Sequence, residues 1–413
     1  MPVERAALDR DALKRHCEEQ GLTLPVAFID DANFEHNRRI LFDAFAAMPN
    51  MKMRIASKSL RCGPLIRRLL DGDPRGETIS GIMALRVDEA RHLVDRYGIE
   101  DVLVAYPVAS PVEVRAVAEL VGTVMRNRKL DSRATASIVV DSYEQIQMLG
   151  PAACAAGVEI PVVLELDLAF RPFGCRWPTI GVRRSPLSNA RSVCDVAELV
   201  RATEGVRLHG LMSYEAHHAA VPDRPHERAF KRLSAPAMAR LRSEVDTALR
   251  QAGFTELPLL NGGGSGSYPQ TSRSPYVNEV AIGSAFYKTA LFDRHAALAK
   301  FKPSLYYAIQ VVRIPKPGWI TCFGGGYYAS GGGEGPVVAT PTAVRPTGTE
   351  EFGETQTPLR VAKGTDIGIG DLVICRPAKA GEPLERFASL HLLRDDALVE
   401  SMPTYRGDDQ CFG

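Results

Sequence analysis

The stretch LPLLNGGGSGSYPQTSRSPYVNEVAIGS (residues 257–284) decides how this chain is read. It holds two short apolar runs, each broken off by glycine and serine. Asn261-Gly262-Gly263-Gly264-Ser265-Gly266-Ser267 follows the first run and Gly283-Ser284 the second. Backbone N–H groups freed in such turns make a cradle for an anion, and in a βα barrel the loops after the last two strands are where phosphate recurs. One glycine cluster alone is explained by a tight turn; two at neighbouring runs carry more weight. Neither turn is followed by a Walker lysine or opens a Rossmann unit, so a nucleotide is disfavoured. Asn261, Gly262, Gly263, Gly264, Ser265, Gly283 and Ser284 are therefore candidate phosphate-side residues.

Reading outward from this stretch, the same texture extends back to about residue 25. β-Prone runs begin at 52 (KMRIASK), 77 (ETISGIMAL), 101 (DVLVAYPV), 135 (TASIVVDS), 160 (IPVVLELDLA) and 208 (LHGLMSYE). Between them lie segments such as VDEARHLVDRYG (87–98), whose apolar positions recur at three- and four-residue spacing, as amphipathic helices require. Eight such units predict an α/β fold with a (β/α)8 TIM-type barrel; a doubly wound open sheet is the alternative. After about residue 295 the helical period gives way to turn-rich sequence and short β-prone runs, which predicts a smaller C-terminal β domain. The expected division is residues 1–24 as an N-terminal segment packing on the β domain, 25–294 as barrel and 295–413 as β domain.

The first barrel run ends in Lys58, at the barrel end where function sits. A lone lysine there is more often a rim residue with its head in water. A desolvated one can form a Schiff base, and a phosphate cradle facing it suits a phosphorylated aldehyde.

Composition narrows the classes. Fifty Lys and Arg against 49 Asp and Glu leave a net charge of +1, which gives no footprint for nucleic acid or a membrane surface. Eight cysteines without a C-x-x-C pair are neither a disulfide framework nor a thiolate zinc site, so a reducing, cytoplasmic setting is expected. The start of the chain has no apolar signal-peptide core, and no run approaches the length of a membrane span.

Five motifs in order now carry a resemblance: Leu24-Pro25 through Asp30; Arg54-Ile-Ala-Ser-Lys58-Ser59; Glu165-Leu-Asp167-Leu-Ala-Phe-Arg171-Pro-Phe-Gly174; Gly210-Leu-Met-Ser-Tyr214-Glu215-Ala-His217-His218; and Asn278-Glu279 through Gly283-Ser284-Ala-Phe-Tyr287. Over residues 20 to 300 the chain resembles the fold-type III pyridoxal-phosphate enzymes, in the D-threonine aldolase and D-serine dehydratase branch of the alanine racemase-like superfamily. The resemblance implies pyridoxal 5'-phosphate held by Lys58, with Arg171 near its phenolic oxygen or the substrate carboxylate. It implies Tyr214, His217 or His218 across the cofactor from Lys58, one of them as base, and Tyr287 in the phosphate turn. Two adjacent histidines on a strand point to opposite faces, so at most one serves. Glu165 and Asp167 are read as fold-stabilising.

The chain departs from the branch where its members hold a divalent metal through a histidine and a Cys or Asp two residues later. Pro377-Ala-Lys379-Ala-Gly381-Glu382 stands there. A lysine ammonium has no lone pair and glycine no side chain, so no metal is expected, and Lys379 is expected to supply positive charge instead, positioned by Glu382 or Glu385. The implied activity is a lyase acting on β-hydroxy-α-amino acids, of D configuration at Cα, through a Schiff base and quinonoid. Aldol cleavage is favoured over dehydration. The implied assembly is a homodimer. Two alternatives stay open: a racemase using Tyr327, Tyr328 or Tyr405 as second base, and a non-catalytic pyridoxal-phosphate carrier, against which the C-terminal 120 residues count.

Overall fold

The computed structural model describes residues 8–73, 75–128, 134–172, 179–330 and 335–413. Gly174, quoted above for the resemblance, lies outside the described residues. The first strand, β1 (Val26–Asp30), is followed by the barrel: β2 (Lys52–Ala56), β3 (Ile79–Ala84), β4 (Val102–Val104), β5 (Ala136–Val140), β6 (Ile160–Glu165), β7 (Val206–Ser213), β8 (Leu259–Gly262) and β9 (Glu279–Ile282). These eight close on themselves in chain order as a parallel barrel, with Lys52 of β2 opposite Glu279 of β9. Each strand grew from one of the eight runs named above. The barrel is the predicted fold, and the open sheet is excluded.

The helices between the strands follow the amphipathic rule. In Val87–Tyr97 the buried positions Val87, Ala90, Leu93 and Val94 form one stripe, and the helix ends at Gly98 in the left-handed conformation. Tyr143–Ala156 starts from a capping box in which Ser142 and Gln145 satisfy each other's backbone N–H groups.

The remaining strands are β10 (Leu305–Lys316), β11 (Trp319–Phe323), β12 (Val337–Thr340), β13 (Val344–Pro346), β14 (Gln356–Val361), β15 (Leu372–Arg376), β16 (Ser389–Arg394) and β17 (Ala397–Pro403). They form the second sheet, and β1 joins it, antiparallel to β10 and parallel to β16. That corrects the expected barrel segment, which started at residue 25: the strand 26–30 belongs to the β domain. All five of its residues are buried, a pattern that fits an inner barrel strand and a covered central strand equally well. The N-terminal helix Arg10–Glu19 packs Leu13 and Cys17 into a cluster with Val26, Phe28, Tyr306 and Ile374 of this sheet.

The two domains meet at the turn that carries Lys58. The four-residue helix Ser57–Leu60 follows β2 directly. Tyr287 donates from its hydroxyl to the Leu60 carbonyl, and the Ser57 hydroxyl donates to the Met83 carbonyl. Arg61 donates to the Lys58 carbonyl and pairs with Glu385 of the β domain. A Cβ on Gly381 would lie 1.8 Å from the Lys58 carbonyl oxygen. Only glycine lets the β domain approach that closely.

Candidate functional site

A cavity opens at the carboxyl end of the barrel. Its lining includes Lys58 and Ser59 after β2, Tyr106 after β4, Glu165 at the end of β6, Tyr214 after β7, and the turns Gly263-Gly264-Ser265 and Gly283-Ser284 after β8 and β9. Arg184, from the connection that follows β6, lines it as well. Active sites of this architecture are built from these strand ends.

The glycine turns are held from behind. The Glu215 carboxylate accepts from the Gly263 N–H at 3.0 Å, from Arg242 at 2.8 Å and from the Thr271 hydroxyl. Burial pushes this carboxyl's pKa up, but Arg242, Thr271 and the backbone donors outweigh it and hold it below the ordinary value. The Ser265 hydroxyl accepts from the Gly283 and Ala285 N–H groups at 3.4 and 3.0 Å, which ties the two turns together. Ser284 and Ser59 share a hydroxyl contact of 3.2 Å, so the second turn touches the segment that carries Lys58. A Cβ on Gly283 would come within 2.7 Å of the Ser59 Cβ, and one on Gly264 within 3.5 Å of the Tyr214 ring, filling the cavity floor. These positions fit a phosphate-bearing ligand whose other end reaches Lys58.

The Lys58 ammonium donates to the Tyr106 hydroxyl at 3.3 Å. Arg184 stacks its guanidinium 5.7 Å from the centre of the Tyr214 ring. Burial raises the Tyr214 phenol to about 12, so at neutral pH it is a donor and not a base. Glu165 is 7% exposed. Its pKa is lifted to about 7 by burial, against the pull of Arg184 and with Asp141 and Asp167 adding to the rise.

Several expected residues lie elsewhere. Arg171 does not line the cavity: it pairs with Asp167 at 2.5 Å, four residues before it. Tyr287 is 1% exposed and its hydroxyl is spent on Leu60. His217 and His218 are not on a strand; they sit in the short helix Ala216–Ala219. Their rings pack 4.9 Å apart behind the mouth, with His218 bonded to Ser234. Burial lowers both pKa values, His217 to about 4, so both rings are neutral. The geometry gives neither a place opposite Lys58. Lys379 donates to the Ser330 carbonyl, Glu382 binds the same serine and Glu385 is taken by Arg61, so Lys379 brings no charge to this cavity. Asn261 lines it, but its amide donates to Glu279 at 2.8 Å, while Gly262 sits beside it at the end of β8. Of the tyrosines named for a racemase, Tyr405 is buried with its hydroxyl on Glu89.

Tyr106 went unread in the sequence and Glu165 was read as fold-stabilising; Arg184 also went unread. The first two sit at strand ends, where the rule used for Lys58 would have found them. Arg184 lies in an irregular connection with no period to mark it.

Comparison with known proteins agrees with this geometry. The family described as alanine racemase, N-terminal domain, matches residues 29–290. A 3-hydroxy-D-aspartate aldolase of Paracoccus denitrificans (strain Pd 1222) is 26% identical over 313 residues, covering 73% of this chain and 71% of that protein. A D-threonine aldolase of Arthrobacter sp. is 25% identical over 296 residues, covering 71% and 69%. The crystal structure of D-threonine aldolase from Filomicrobium marinum superposes with a TM-score of 0.76 at 23% identity, covering 94% of this chain and 96% of that one.

Proposed function

The chain belongs to the alanine racemase N-terminal domain family, and from that premise we propose that it is a pyridoxal-phosphate-dependent lyase that splits the Cα–Cβ bond of β-hydroxy-α-amino acids of D configuration. The observation that carries the reading is a single cavity shared by Lys58 and the two tied glycine turns. Lys58 would hold the cofactor through its amine, and the backbone of Gly263–Ser265 and Gly283–Ser284 its phosphate. Tyr214 would lie against its ring. When bound, pyridoxal phosphate supplies an electron sink for the pair released at Cα.

The protein's own groups do the rest. Arg184 takes the role expected of Arg171 and orients the substrate carboxylate, as a cation at the cavity rim. Tyr106 bonds the Lys58 amine and steers it toward the cavity. Two sequence relatives carry aldolase names, which favours cleavage over dehydration. A divalent metal is not part of this reading: Gly381 packs so tightly on the Lys58 carbonyl that no ligating side chain fits there, and the Lys379 ammonium is committed to Ser330. The reading includes a homodimer whose β domain covers the partner's mouth. It also includes a cytoplasmic setting, supported by the free cysteines among the described residues and by the lack there of any helix long and apolar enough to cross a membrane.

The test is incubation of the cofactor-loaded protein with D- and L-threonine, serine and 3-hydroxyaspartate, assaying glycine, aldehyde and 2-oxo acid separately. Glycine and aldehyde from the D isomers are expected; 2-oxo acid alone would replace cleavage by dehydration. Sedimentation at micromolar concentration should give a dimer, and a fully active monomer would overturn that part.

A further inference from the structure

Glu165 is the last residue of β6, and β6 stands four strands from β2 in either direction around the closed ring of eight. The barrel therefore sets Glu165 across the mouth from the turn that carries Lys58, and both line one cavity. The residue is 7% exposed and lines the cavity, and no described group hydrogen-bonds its carboxyl oxygens, while its backbone carbonyl accepts from the Ser185 hydroxyl. The other buried glutamates are all committed. Glu89 is bonded to Tyr405 and the Leu85 N–H, Glu215 to Arg242 and Gly263, and Glu279 to Arg54, Asn261 and Ser80.

The groups expected to act as base opposite Lys58 have dropped out, since the Tyr214 phenol stays protonated and His217 and His218 lie outside the cavity. The charged groups around Glu165 are Arg184 from the following connection, Asp141 at the end of β5 and Asp167 two residues on, with Lys58, Tyr106 and Tyr214 lining the rest of the cavity.

We propose that Glu165 is the proton-transfer residue of the cleavage, accepting the proton of the substrate β-hydroxyl from the side of the cavity opposite Lys58. This rests on the lyase reading. The O–H bond of the substrate breaks and its proton passes to the Glu165 carboxylate. The electron pair of that bond forms the carbonyl of the departing aldehyde as the Cα–Cβ bond breaks. The pair left at Cα then takes a proton from solvent and Glu165 returns its own to solvent, so one proton is gained and one given back and the products are glycine and aldehyde with no other reactant. A carboxyl that titrates near neutral pH is suited to such work.

The experiment compares cofactor-loaded wild type with Glu165→Gln and Glu165→Asp. Glu165→Gln should lower kcat by about a hundred- to ten-thousand-fold while cofactor absorbance and KM stay near wild type. Its kcat/KM profile should lose the acid limb near pH 7, and Glu165→Asp should restore part of both. Infrared titration of the carboxyl band in the cofactor-free protein should show a group titrating near pH 7 in wild type that is missing from Glu165→Gln. Wild-type cleavage is measured first. If wild type splits no β-hydroxy amino acid, the lyase reading falls and takes this one with it. If wild type cleaves and Glu165→Gln matches it with the acid limb intact, only the Glu165 assignment is overturned. A Glu165→Gln variant that does not fold leaves the decision to Glu165→Asp and the wild-type infrared titration, where the lack of a carboxyl near pH 7 overturns the assignment.

Discussion

The two ends of the barrel are both lined with charge, and they use it in opposite ways. At the amino end Arg54 is 4% exposed and bonded to Glu279 at 2.7 Å, to Asp101 at 2.6 Å and to the Ile82 carbonyl at 3.0 Å. Ser80 and Asn261 supply the remaining donors to Glu279. Among the described residues at the carboxyl end, Lys58 meets a tyrosine hydroxyl, Arg184 a ring face, and the Glu165 carboxyl no hydrogen-bond donor. A buried ionic network is stable only when every member is satisfied. The end that satisfies its charges closes the barrel; the end that does not has charge left for a ligand.

That comparison can be broken at either end. Lys58→Ala should remove covalent capture of the cofactor by borohydride and lower turnover by about a thousand-fold or more, while the melting temperature of the cofactor-free protein stays near wild type. Labelling of another lysine in the intact protein would refute the assignment. Arg54→Met should do the reverse. It leaves the buried Glu279 and the partly buried Asp101 carboxylates without their cation, costing about 3–5 kcal/mol in denaturant unfolding, with turnover per folded molecule largely kept.

Arg184→Ala should lower kcat/KM by about ten- to a hundred-fold, the worth of about 1.5–3 kcal/mol for a hydrogen bond to a charged group. Arg171→Ala should lower it much less, because Arg171 is paired with Asp167 away from the cavity; the reverse order would return the role to Arg171. Glu215→Gln probes the support beneath the glycine turns. The Glu215 carboxyl is held below its ordinary value of 4.5 in the folded protein, so its contribution is complete above that pH and is lost as pH falls through the lower folded value. The stability gap between wild type and variant, about 1–3 kcal/mol at pH 7, should therefore narrow below pH ~4.5. The smallest expected effect is that of exhaustive chelation, which should leave activity unchanged. Activity lost on chelation and restored by zinc or manganese would refute the metal-free reading.

The lesson about legibility lies in the same two ends. The eight runs were readable because strands buried on both faces and helices with one apolar stripe leave periods in the chain. Lys58 and the turns at 261–267 and 283–284 were readable because a strand end and a glycine cluster are local facts. The place of β1 was not, since five buried residues pair with whichever edge is offered, and here β10 and β16 offer it. Arg171 and Arg184 look alike in sequence, and only the path of the connection after β6 decides which reaches the cavity. His217 and His218 read as a strand pair, but the chain turns into a helix at Ala216 and buries both. Glu165 was visible at a strand end and read as structural, because whether a buried carboxyl is satisfied depends on partners far away in the chain. Sequence by itself determined the barrel and set Lys58 and the two glycine turns at strand ends, each fixed by residues within one segment. Which charges are matched and which are left free was decided by tertiary structure, because hydrogen-bond satisfaction is a property of convergence between segments.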